Sequence, residues 1–266
     1  MILDPRPMSP DAAWTLRWRD LAGSPYAEGF RDEQFYDRGE RSHVAVTWAE
    51  RGATFSGTLK AAGLKPNFAY QMKLTGRVPA TGERRPPAPD RDPEGGASWQ
   101  LGHNGRWLCQ TCGSNVSDAE LRAHVKRGHL VYGYLLFDFF ITDADGNATR
   151  PFALDSSYHV LWRTDQREPP RADSPVVWHP ITRGPWGYLL DAPAAGETVG
   201  VFAEGEPDRP GPGRARLPAG SYPVRFNITE ESFHANLSYD EEHGGFWAQV
   251  LESDIAFVVE PSGRRR

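Results

Sequence analysis

Polar and apolar residues alternate along most of this chain. Trp14–Trp18, Val44–Trp48 and Thr54–Leu59 each place apolar side chains at every second position. A period of two predicts β-strands with one face in a core and the other in water. The most apolar run, VYGYLLFDFFIT from Val131, predicts a central strand. Asp138 interrupts it, either facing solvent at a sheet edge or buried with a partner. Phe152–Asp155, Tyr158–Arg163, Pro223–Thr229 and Ile255–Glu260 read as further strands. Helical signals are confined to a segment after Ser117 and a turn near Glu230–His234. The fold class is therefore all-β, with no repeat of fixed period.

Between the third and fourth strands lies GLKPNFAYQMKLTG. Its Leu64-x-Pro66-x-x-x-Tyr70 spacing resembles the tyrosine corner of fibronectin type III and related sandwiches. There a Tyr hydroxyl bonds back across the turn that joins two sheets. The expected architecture is a β-sandwich, fibronectin-like or jelly-roll-like, formed by residues 10–76 and 131–260. TGERRPPAPDRDPEGG, within 77–104, is charged and rich in Pro and Gly, with almost nothing to bury, and reads as a flexible loop. Residues 261–266 form a basic tail. DADGN, from Asp143, has the D-x-D-G look of a calcium loop but lacks the downstream Glu, since Leu stands at 154. A hairpin turn using Gly and Asn explains it better.

The net charge of −5 gives no general attraction to nucleic acid. The N-terminus has no basic region followed by an apolar stretch, and no run approaches the ~18 apolar residues of a membrane span. A cytoplasmic location is the expectation. The chain has two cysteines, three residues apart, so a disulfide framework is not indicated.

Those cysteines carry the strongest chemical signal. Cys109, Cys112, His124 and His129 form C-x2-C-x11-H-x4-H, which resembles a Cys2His2 zinc finger one residue short in its middle. Val116 and Leu121 stand at the finger's core positions, and Ser117 with Glu120 forms a capping box for its helix. A redox pair would share the C-x-x-C but would not explain the core positions or the cap. Thiolate and imidazole supply the four ligands that structural zinc requires, leaving no open coordination position. Residues 105–130 are therefore expected to be an inserted ββα finger whose metal is structural. Base reading is disfavoured, because Asp118 and Glu120 occupy the helix end that would meet DNA and one finger covers only ~3 base pairs.

A second candidate site draws on DSSYHVLW and ITEESFH. If the first is one strand, Asp155, Ser157 and His159 share a face. Glu230, Glu231 and His234 lie close together along the second. Together Asp155, His159, Glu230, Glu231 and His234 would make a metal or ligand site. The alternative is that they are ordinary strand and turn residues. The nucleophile elbow, the phosphate loop, H-E-x-x-H and the dinucleotide fingerprint are all missing from the sequence.

Three stretches, TFSGTLKAAGLKPNFAYQMKLTG, GYLLFDFFITDADGNATRPFALDSSYHVLW and LPAGSYPVRFNITEESFH, resemble a group of uncharacterised archaeal and bacterial β-sandwich proteins. The resemblance implies an all-β fold and a shared surface around DSSYHVLW and ITEESFH, and no activity. Members of that group tend to be exported, which this N-terminus does not suggest. The expected function is that of a non-enzymatic, zinc-containing interaction or structural module with a protein partner or self-association. The alternatives are a metal-dependent enzyme using the second site and a nucleic-acid binder using the finger.

Overall fold

The computed structural model describes residues 1–5, 19–31, 43–77, 105–109, 114–116, 131–157, 159–162, 176–182, 187–188, 197–204, 213–214, 217, 219–231 and 247–261. They are nearly all strand, with one helical turn, α1, at Glu28–Arg31. The largest sheet contains β1 (Asp4–Pro5), β16 (Trp247–Val259), β15 (Gly220–Glu231), β5 (Ala69–Arg77), β8 (Val131–Ile141), β6 (Gly105–Cys109) and β7 (Ser114–Val116), in that order. The short β3 (Arg51–Gly52) pairs in parallel with β16. A second sheet has the order β2 (His43–Trp48), β4 (Ser56–Ala62), β9 (Ala148–Ala153). A third has the order β11 (His159–Trp162), β13 (Glu197–Glu204), β12 (Val176–Ile181). β10 (Ser156–Ser157) and β14 (Gly213–Arg214) form a small ribbon.

The alternation in β5 and β15 decides how the sheets stack. Tyr70, Met72 and Leu74 share one face with Phe226 and Ile228, and all five are buried. Phe55, just before β4, reaches this face from the second sheet. Its ring stacks on Phe257 at 4.4 Å and meets Phe137 and Phe226 edge-on at 5.9 and 6.3 Å. Phe152 of β9 lies 5.2 Å from it. Each such pair contributes about 0.5–1.5 kcal/mol beyond its burial, so this cluster fastens one sheet to the other.

A bulge in β8 completes the cluster. Met72 pairs with Asp138 but Lys73 with Leu136, so Phe137 is the extra residue. The bulge turns Phe137 into the core on the same side as Asp138. Asp138 is buried and takes a bidentate grip from Arg150 of β9, at 2.8 and 3.1 Å. Of the two expectations for Asp138, burial with a partner is the one observed.

The N-terminal residues close another side. Ile2 bridges to Ala45 of β2, while Asp4 and Pro5 pair with Glu252 and Leu251 of β16. One short stretch thus links both sheets.

Several strand readings need correction. The turn at Asp143–Asn147 does not join paired strands, because β8 and β9 belong to different sheets. It is held by Asp143 Oδ1, which accepts from the N–H of Asp145 and Asn147 at 2.9 and 2.8 Å. Only Gly146 there has a positive φ, at 75°. Glu230 and Glu231 continue β15 rather than starting a helical turn. Trp14–Trp18, the 78–104 loop, the finger helix and the 262–266 part of the tail lie outside the described residues.

Gly146 packs against the Leu64 turn, and a Cβ there would lie 2.1 Å from the Leu64 carbonyl oxygen. Gly146→Ala should therefore destabilise by about 2–4 kcal/mol in urea unfolding, from backbone strain and the clash together. Gly29→Ala, exposed in α1 with nothing within 4 Å of the added carbon, should be neutral or slightly stabilising.

Candidate functional site

The polar groups of the interior gather around the turn between β4 and β5. Tyr70 Oη accepts the backbone N–H of Lys65 at 2.9 Å, bonding back across a turn that carries the chain from the second sheet into the largest. This is the tyrosine-corner bond that the Leu64–Tyr70 spacing predicts. Thr142 Oγ1 donates to the Lys65 carbonyl at 2.6 Å and accepts from Phe68 N–H at 3.0 Å.

Asn67 is the hub of the turn. It adopts the left-handed conformation, with φ of 50°, which Asn tolerates better than most residues. Its backbone donates to Asp143 O at 3.1 Å and accepts from Leu21 N–H at 2.9 Å. Its Nδ2 donates to Thr182 O and Tyr188 Oη at 3.0 and 2.7 Å. The Thr182 carbonyl is purely an acceptor, which fixes the amide orientation and leaves Oδ1 for His179 Nε2, 3.1 Å away. Burial lowers the His179 pKa, against an opposing pull from Asp143. The neutral ring therefore carries its proton on Nε2 to make this bond. Tyr188 in turn donates to Asp20 Oδ2 at 2.8 Å, and Asp20 Oδ1 accepts from Ala22 and Ser24 N–H at 3.0 and 2.9 Å. Tyr26 donates to Pro66 O at 2.5 Å, and burial, then Asp20, push its pKa well up, so it stays a neutral donor.

Beside this hub lies an ion pair. Lys65 Nζ donates to both carboxylate oxygens of Glu230, at 2.5 and 2.7 Å, and both side chains are almost completely buried. Burial lowers the Lys65 pKa while Glu230 opposes that shift. Glu230 stands directly opposite Tyr70 in the β15–β5 register, on the face that holds Phe226 and Ile228.

The opposite face is also buried and is mixed in character, since Phe139 and Leu136 of β8 stand opposite Gln71 and Lys73 on it. Gln71, Lys73, Asn227 and Thr229 occupy it, although their alternation predicts exposure to water. The third sheet explains part of this, since Val160 N–H of β11 donates to Gln71 Oε1 at 2.8 Å. Gln71 Nε2 donates to Asp138 O at 2.8 Å, and Asn227 Nδ2 to Thr75 Oγ1 at 2.8 Å. The polar stripe continues onto β16, where Arg225 donates to Glu252 and Asp254 at 3.1 and 3.0 Å.

The residues of the second candidate site fall into different settings. Asp155 is exposed and accepts from Ser156 Oγ at 2.9 Å. Glu230 is buried on Lys65. The structure does not bring these two together. Within DSSYHVLW the pairing partner changes: Ser156–Ser157 pair with β14 and His159–Trp162 with β13. β11 lies over the Gln71 face, whereas Glu230 shares the Tyr70 face. The side chains of His159 and Glu231, and all of His234, lie outside the described residues.

Of the finger, Gly105–Cys109 and Ser114–Val116 are described and form an antiparallel pair, with Cys109 opposite Ser114. No ββα unit is described, because Cys112, His124, His129 and the helical segment lie outside the described residues. Among the described residues no three His, Cys, Asp or Glu side chains form a metal-holding group. The chain matches no protein-family model, no curated protein and no solved structure.

Sequence reasoning missed Lys65 and the Asn67 hub. Glu230 gave a signal in retrospect: it holds the apolar phase of Phe226 and Ile228, where an acid requires a partner. Glu230→Ala should strand the Lys65 ammonium in the core and cost about 3–5 kcal/mol. The double replacement Lys65→Met with Glu230→Leu should recover most of that loss. Urea unfolding of the three proteins checks this; a single-variant loss under about 1 kcal/mol would show that the pair is not fastening the turn.

Proposed function

We propose that this protein is a β-sandwich with an inserted structural zinc finger, acting as a non-catalytic interaction module for a protein partner or a second copy of itself. The observation that carries the reading is the surface of β12. This strand pairs only with β13 among the described residues, and it leaves Val177 and Trp178 43 and 46% exposed next to each other. Adjacent residues of a strand point to opposite faces, so both faces of this edge are open at that point. Pro180, which lacks an N–H, suits such an edge. Exposed Trp beside an edge strand is the chemistry of a protein contact. The buried acids and bases around the turn are engaged with one another, which favours binding over acid–base catalysis. The described residues include no helix long and apolar enough to cross a membrane. The resemblance to uncharacterised archaeal and bacterial sandwich proteins belongs to the same proposal.

For zinc, the support is the hairpin. Pairing of Cys109 with Ser114 closes a four-residue loop, 110–113, that contains Cys112. Two thiolates at such a turn can share one metal, with His124 and His129 completing the tetrahedron. β6 also pairs with β8 from Cys109–Val131 to Gly105–Leu135, so the hairpin extends the largest sheet.

Purified protein should hold one zinc per chain, and Cys109→Ser with Cys112→Ser should hold none. Chelation should remove hydrogen-exchange protection from β6, β7 and the Val131–Leu135 part of β8, while β5, β15 and β16 keep theirs. Metal-free native protein would overturn the zinc proposal. A photo-crosslinking residue replacing Trp178 should capture a protein or a second copy in extract of the source cell, and one replacing exposed Lys60 should not. Only monomer from both positions would overturn the interaction proposal.

A further inference from the structure

We infer that an open stretch of the β16 edge binds an extended peptide of a protein partner, in which basic and apolar residues alternate. The site is separate from the β12 edge and does not depend on it. β1 covers the β16 edge at Leu251–Glu252, and β3 covers it at Val258–Val259. Among the described residues no strand pairs with this edge over 253–257, a gap of about 17 Å. A groove of about 660 Å³ lies there, lined by Trp48, Glu50, Arg51, Ser221 and residues 254–258. The backbone of the gap points into the open side. Val258 and Glu260 donate their N–H groups across the edge, to the Glu50 and Gly52 carbonyls, both at 2.8 Å. Alternate residues of a strand aim their N–H and C=O the same way, so Asp254 and Ala256 aim theirs at the edge too. Pro223, which has no N–H to give, stands opposite Ala256 and fits that phase. Trp48 Nε1 donates to the Ala256 carbonyl at 3.0 Å, the bond a neighbouring strand would make. Among the described residues, the Asp254 N–H and carbonyl and the Ala256 N–H have no partner.

Donors and acceptors repeating every second residue, about 6.8 Å apart, match the backbone of another extended chain. A strand added at this edge satisfies them together, and the strands already seated at both ends of the gap show that the edge accepts one. The side chains then choose the peptide. Asp4 stands opposite Glu252, and Glu252 and Asp254 are alternate residues, so these three carboxylates share one face. Glu50 and Glu260 stand at the β3 end of the gap. Against these five acids are Arg225, which holds Glu252 and Asp254 at 3.1 and 3.0 Å, and Arg51, 3.8 Å from Glu260. With the Met1 ammonium counted as well, the acids among the described residues still outnumber the bases here. Lys or Arg at alternate peptide positions would stand across from Asp254 and its neighbours. Ile255 and Phe257 face the core from the same stretch, so the intervening peptide residues fall on the apolar side.

The probe is a library of random heptapeptides displayed on phage and selected on the full chain. Selection should enrich sequences that alternate Lys or Arg with Val, Ile or Leu. An enriched peptide, synthesised and titrated in NMR, should protect the Asp254 and Ala256 amides from hydrogen exchange. Ala256→Pro removes an outward N–H without touching the ladder to β15 and should weaken binding about tenfold or more. Glu50→Gln with Asp254→Asn should do the same by removing two acids. Both of those positions are exposed, so this variant should keep the wild-type circular dichroism and melting point, and it decides the matter if Ala256→Pro does not fold. No enrichment would overturn the inference, as would full affinity in either folded variant or a bound peptide that leaves Asp254 and Ala256 exchanging freely. Protection appearing on β12 instead would overturn this inference while supporting the contact at Trp178.

Discussion

The turn from Gly63 to Phe68 is the constraint on which the other elements depend. It takes the chain out of the second sheet and into the largest, so it must cross the core with its backbone polar groups satisfied. Tyr70 takes the Lys65 N–H, Thr142 takes the Lys65 carbonyl, and Tyr26 takes the Pro66 carbonyl. Asn67 then collects bonds from five distant parts of the chain: Leu21, Asp143, His179, Thr182 and Tyr188. These partners come from the Leu21 loop, the turn after β8, β12 with the residue that follows it, and Tyr188, and their common contact with Asn67 ties these places together. Lys65 adds the one strong electrostatic tie, to Glu230 on β15. A turn with this many partners is costly to deform, which is why the close approach of Gly146 to Leu64 admits no side chain.

The largest sheet is a middle layer. Its Tyr70 face meets the second sheet through aromatic rings, while its Gln71 face, which mixes Gln71, Lys73, Asn227 and Thr229 with Leu136 and Phe139, lies against the third. These two interfaces differ in kind. The aromatic one supplies non-directional burial. The other adds directional hydrogen bonding, as in the Val160 N–H bond to Gln71 Oε1 that ties β11 to β5. A slip there would leave Gln71 with a buried unpaired amide, at a cost of about 1–3 kcal/mol.

How much of this was legible follows from the range of each interaction. The tyrosine corner could be read from Leu64, Pro66 and Tyr70 because its bond closes within six residues. β2 and β4 could be read from local alternation, and β8 from its apolar run. Sheet order could not, since Asp138 with Arg150 and Lys65 with Glu230 are decided by distant packing. Polar alternation in β5 looks the same whether the polar face meets water or another sheet, so the burial of Gln71 and Lys73 had no local signature. For a related reason the pattern of DSSYHVLW does not reveal that the chain changes strand partner between Ser157 and His159. Of the second candidate site, the described side chains are those of exposed Asp155 and buried Glu230, which occupy separate settings.

The fate of the buried charges bears on what kind of protein this is. A catalytic acid or base must exchange protons with a substrate, so at least one of its bonding positions has to open onto a cleft. Glu230 gives both oxygens to Lys65, Asp138 gives both to Arg150, and Asp20 spends its oxygens on a turn and on Tyr188. His179 faces Asn67, a residue held on every side. These groups tie the turns and sheets of the scaffold to one another. Among the described residues the surface offers an edge strand with an exposed Trp178 and a hairpin in which Cys109 stands opposite Ser114. Both features are the ones on which the proposed interaction role rests, and in such a role affinity depends on the scaffold holding a few exposed groups in place.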